Sequence, residues 1–159
     1  MGKLSRVLVA AMCGWMAAGC STVNNPAPGS LAQVRIEGHS AAQVDDALRA
    51  VFTEKGYKVH FDTFVPGSDS CQIELGRKGG AMSRATYGSW LHPDVEERVK
   101  LSVARSSGGW LVTLEAAMIS DVNEAFEQKH PLTGLTRHAF QRLLDEAKTR
   151  LEQRKVEAK

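Results

Sequence analysis

The sequence predicts an α+β fold, a two-layer sandwich in which one mostly antiparallel sheet of about five strands carries two helices on one face, in the order β-α-β-β-β-β-α. Three observations predict it. Several segments alternate apolar and polar residues, so that each has one face to bury and one to leave in water. Two longer stretches, after Ser40 and from Leu135, repeat their apolar residues at helical spacing instead. Beyond residue 30 there are about 125 residues before the tail, enough to bury one core without staples.

The first strand is read at Leu31–Glu37, where Leu31, Val34 and Ile36 stand against Gln33, Arg35 and Glu37. Gly38-His39 leads into Ser40-Ala41-Ala42-Gln43, a capping box in which the Ser40 hydroxyl accepts from the Gln43 amide and the Gln43 side chain reaches back. A helix is expected from Ala41, with Val44, Ala47, Leu48, Val51 and Phe52 on one stripe and an Asp45/Arg49 pair on the other side, ended by Gly56. Tyr57, Val59, Phe61 and Val65 then alternate with Lys58, His60 and Asp62, which predicts a strand with one apolar face. Pro66-Gly67-Ser68-Asp69 turns the chain, and Cys71, Ile73 and Leu75 return, completing a hairpin.

A second hairpin has the strongest strand signal. Val99, Leu101 and Val103 alternate with polar neighbours, Ser106-Ser107-Gly108-Gly109 turns, and Trp110, Val112, Leu114, Ala116 and Met118 return on the matching face. Asp121–Pro131 reads as a polar connector. The final helix is expected from Leu135 to Arg154, burying Phe140, Leu143, Leu144, Ala147 and Leu151, with Glu146 and Arg150 four apart outside. Short links around the first helix predict a right-handed parallel crossover between the first two strands.

The start of the chain bears on location. Lys3 and Arg6 precede an uncharged apolar run from Val7 to Met16, closed by Ala17-Ala18-Gly19-Cys20. This is the layout of a secretory signal, with an apolar run too short for a stable spanning helix. The junction resembles the lipobox of bacterial lipoprotein precursors. The resemblance implies cleavage before Cys20, acylation of its sulfur and amine, and a lipid anchor at the cell envelope; Ser21 implies outer-membrane sorting, facing the periplasm. The expected organisation is a signal peptide at 1–19, a lipidated cysteine and flexible tether at 20–30, one α+β domain at 31–155 and a frayed tail at 156–159. The element order is also similar to that of small lipoproteins that assist outer-membrane assembly of lipopolysaccharide or barrel proteins.

Charge narrows the partners. The chain has 20 Lys+Arg against 18 Asp+Glu, and without Lys3 and Arg6 the balance is 18 to 18. A neutral domain argues against a nucleic-acid partner, which needs a basic face. With Cys13 in the signal and Cys20 acylated, Cys71 remains alone, and its parity with Ile73 and Leu75 makes it a buried, inert thiol.

Chemical motifs are sparse. The sequence contains no nucleophile elbow, phosphate loop or dinucleotide fingerprint, so no cofactor is expected. Asp121, Glu124, Glu127 and His130 recur every three residues, a spacing better explained by a solvated connector than by metal ligands. The stretch Gly76–Asp94 stands out, with Arg77, Lys78, Arg84, Tyr87, Trp90 and His92 set among glycines in a connection too long to be structureless without purpose. Either it is a binding edge, or Ala85–Leu91 forms another strand and Tyr87 and Trp90 cap the core. The expected role is a non-catalytic binding or adaptor domain of the envelope with a protein partner, the alternatives being an enzyme without a recognised motif and a structural envelope lipoprotein.

Overall fold

The computed structural model describes residues 30–88, 94–122 and 127–157. They form an α+β sandwich: strands β1 (Ala32–Glu37), β2 (Lys58–Asp62), β3 (Ser70–Lys78), β4 (Val95–Ser106), β5 (Gly109–Ser120) and β6 (Gln128–Pro131), with helices α1 (Ala41–Glu54), α2 (Ala81–Tyr87) and α3 (Gly134–Glu157). The sheet runs β1-β5-β4-β3-β2, every pairing is antiparallel, and β6 adds to β5 beyond the end of β1.

Helices α1 and α3 lie on one side. The face they cover is supplied by Val34 and Ile36 of β1, Ile73 and Leu75 of β3, Val99 and Leu101 of β4, and Val112 and Leu114 of β5, all buried. Val44, Leu48, Val51 and Phe52 from α1 and Phe140, Leu144, Ala147 and Leu151 from α3 complete this core, with Leu143 only partly buried at its margin. The Ser40 capping box forms in both directions, at 3.3 Å from the Gln43 amide and 2.9 Å to the Gln43 side chain, and Gly56 turns the chain at φ 86°. The β4–β5 hairpin is fastened to the start of α1 by Trp110, whose Nε1 donates to the His39 carbonyl at 3.0 Å while Arg105 stacks over its ring.

Four expectations are corrected. β1 and β2 do run in the same direction, but they stand at opposite edges of the sheet with β5, β4 and β3 between them. The connector at 121–131 contains β6, whose backbone continues the β5 ladder from Ala117 to Ser120. Within the stretch at 76–94, the described residues are ordered differently than expected: Gly76–Lys78 end β3, and Ala81–Tyr87, part of which the alternative reading makes a strand, are helical.

The fourth correction concerns β2. Val59 pairs with Leu75 but Phe61 pairs with Glu74, so a bulge at His60 interrupts the alternation. Beyond it Phe61 shares the helix-free face with Glu74, and Asp62 takes the helix-facing position opposite Ile73. The apolar face expected for this strand is therefore split, and Val59, Phe61 and Val65 stay 41%, 55% and 60% exposed.

Candidate functional site

The helix-free face of the sheet carries a charged network laid over strands β2 to β5. Arg98 of β4 stands at its centre, bonded to Glu96 at 2.9 Å, to Glu127 at 3.0 Å and to Glu74 at 3.5 Å. Burial works against the Arg98 charge, but hydrogen bonds to Glu127 and Glu96 more than offset it and hold the guanidinium above its ordinary range. Glu96 also receives His60 at 2.8 Å. This pair lies directly over Gly76, where a Cβ would collide with both the Glu96 carboxylate and the His60 ring. Beside the network runs a groove of about 800 Å³, lined by Lys100, Glu115, Ala117, Ile119, Lys129 and Arg137. Its lining mixes both signs of charge around a short apolar floor.

The described residues among those singled out in the sequence have separate surroundings. Arg77 faces the helices, where Nη2 lies 2.9 Å from Glu97 and the guanidinium sits 4.6 Å above the Tyr57 ring. The Tyr57 hydroxyl donates to the same Glu97, and burial, reinforced by that carboxylate, pushes the phenol up so that it stays a donor. Arg77 is thus part of a clasp at the end of α1. Lys78 is exposed at the end of β3, Arg84 is exposed on α2, and Tyr87 stacks on His130 at 5.3 Å. Trp90, His92 and Cys20 lie outside the described residues, as does Glu124. Among the described residues no group of three metal-ligating side chains forms; Glu127 bonds Arg98, and His130 contacts Tyr87 and Ser120.

Ser120 beside His130 has the residue types of a nucleophile and its base. The Ser120 hydroxyl is buried, and its distance of 3.4 Å to Nε2 is long for activation. The contact is accounted for by the need of a buried hydroxyl for a partner. Cys71 is buried as its parity requires, and desolvation pushes its thiol up, with the nearby Asp45 adding to the effect.

The Asp45/Arg49 pair is not on the solvent side of α1. Asp45 is 3% exposed, Arg49 Nε lies 2.9 Å from it, and the same guanidinium bonds Asp62. Two carboxylates thus share one cation, and Asp45 Oδ1 has no hydrogen-bond partner among the described residues. Burial raises the Asp45 pKa; Arg49 opposes the rise and Asp46 adds to it. A raised folded pKa means that stability is lost as pH rises through it and is fully present below the unfolded carboxyl range. Asp45→Asn removes this loss and leaves Arg49 paired with Asp62. It is expected to stabilise the fold at pH 7 by about 1 kcal/mol, the gain vanishing near pH 4. Urea melts of both proteins across that range check it; a variant less stable at pH 7 refutes the reading.

No protein-family model matches the chain, and no curated protein sequence matches it. The network of Glu74, Glu96, Arg98 and Glu127 was hidden from sequence reasoning because it joins three separate segments. The one local signal is Glu96 and Arg98 at i,i+2, which shares a strand face.

Proposed function

We propose that the chain is a lipoprotein of the bacterial cell envelope, anchored through acyl groups on Cys20, probing the periplasm from the outer membrane, with a non-catalytic domain that binds an envelope protein. The anchor rests on the order of charge, apolar run, small residues and cysteine in residues 1–20. Acyl anchorage at Cys20 needs no spanning helix, and among the described residues no helix is long and apolar enough to cross a membrane.

The observation that supports binding is that the β2 edge has no strand on its outer side among the described residues, while Phe61 and Val65 remain more than half exposed. An enzyme would be favoured by displaced carboxyl or thiol groups converging in the groove; Asp45 and Cys71 instead lie on the helix-covered side. A mere spacer has no need of an exposed apolar edge.

Cys20→Ala is expected to abolish acylation and leave precursor that keeps its signal. Labelling cells with radioactive palmitate tests this, and equal incorporation into wild type and variant ends the lipoprotein reading. A purified chain lacking acyl groups on mass measurement would do the same.

A further inference from the structure

The two edges of the sheet are treated differently. On β1, the Gln141 side chain of α3 accepts from the Gln33 amide at 3.3 Å and donates to the Gln33 carbonyl at 2.9 Å. A side-chain amide there imitates a neighbouring strand at Gln33. On β2, no strand lies on the outer side among the described residues, and the exposed Val59, Phe61 and Val65 lie on or just after it. An edge strand with exposed apolar side chains and no neighbour on its outer side is a docking position.

The bulge decides what shape of partner fits. Val59 projects on the helix side and Phe61 on the helix-free side, because their partners are Leu75 and Glu74. A helix or a flat surface approaching from one side covers only one of them. A strand lying in the plane of the sheet has alternating side chains and covers both. Charge orients it: Lys58 at the start of β2 and Lys78 at the end of β3 are exposed on the helix-free side and have no ion-pair partner among the described residues. An acidic side chain at that end completes the match.

We infer that the outer edge of β2 accepts an extended segment of a partner polypeptide as an added antiparallel strand, with apolar side chains against Val59 and Phe61 and, toward the segment's C-terminal end, an acidic side chain against Lys58. The inference rests on the adaptor reading and deepens it by naming the partner's chemistry.

The test is selection from random internal seven-residue segments displayed on phage, using the full chain purified in detergent. The expected consensus has two adjacent apolar residues, which fall on opposite faces of the added strand, followed by Asp or Glu. A synthetic consensus peptide should then bind wild type and lose at least about tenfold in affinity to Phe61→Asp. Lys58→Glu should lose about fivefold, recovered when the peptide's acid is exchanged for lysine. Both residues are exposed, so the variants should melt as wild type does.

Absence of a consensus, or binding indifferent to both substitutions, overturns the inference. So does a wild-type dimer in sedimentation that Phe61→Asp dissolves, because a second copy then covers the edge. Failed selection with Cys20-dependent palmitate labelling intact removes the edge alone. Successful selection without labelling removes the anchor and leaves the edge.

Discussion

Phe52→Ala is expected to cost about 4 kcal/mol, a large share of the roughly 5 to 15 kcal/mol that holds a domain of this size together. Phe52 has no exposed surface, and its ring meets Tyr57 edge-on at 5.3 Å. The Tyr57 amide donates to the Phe52 carbonyl at 3.1 Å, so helix end and strand start are bound through the same two residues. Truncation leaves a void beneath Tyr57, whose hydroxyl must stay aligned with Glu97 for the Arg77 clasp to hold. Phe52→Leu fills most of that volume and should cost only about 1.5 kcal/mol. Urea denaturation of the three proteins gives the comparison; a loss under about 1 kcal/mol for the alanine variant would show that the clasp does not depend on the ring.

The parts of the fold legible in the sequence are those set by local periodicity. Ser40 and Gln43 announce the start of α1, Gly56 its end, and the alternation through Leu101 and Leu114 marks the central hairpin, because each signal depends on residues a few positions apart. What stayed hidden depends on distant partners. Nothing near His60 shows that β2 gains a residue against β3, yet that one residue moves Phe61 to the other face. Asp45 looked solvated because Arg49 sits one turn on, whereas its burial is imposed by packing against β2 and β3. Arg77 has the composition of a binding edge, but its role is fixed by Glu97, twenty residues away. Of the residues singled out at 76–94, Lys78 and Arg84 are exposed, Arg77 and Tyr87 are engaged with neighbours, and Trp90 and His92 lie outside the described residues. The bulge at His60, which no local pattern marks, is what leaves Phe61 exposed on the helix-free face.

Gly108 and Gly109 form the tip of the central hairpin and are expected to respond to substitution in opposite ways. Gly108 adopts φ +84° with open space around it, so its requirement is backbone conformation. Asparagine tolerates that region, and Gly108→Asn should cost less than about 1 kcal/mol. Gly109 has no such φ. A Cβ there would run into the Ile36 carbonyl oxygen and stand 3.0 Å from the Glu37 Cα, both on the paired strand β1. Backbone of a paired strand cannot swing aside as a side chain can, so Gly109→Asn must part β1 from β5. The expected cost is about 3 kcal/mol. Separation also moves Trp110 away from the His39 carbonyl, which ties the hairpin to the cap of α1. Amide exchange should therefore quicken at Ile36 and Glu37 in Gly109→Asn and stay unchanged in Gly108→Asn, with denaturant midpoints falling in the same order. If the two variants lose stability equally, close approach to β1 is not what reserves position 109 for glycine.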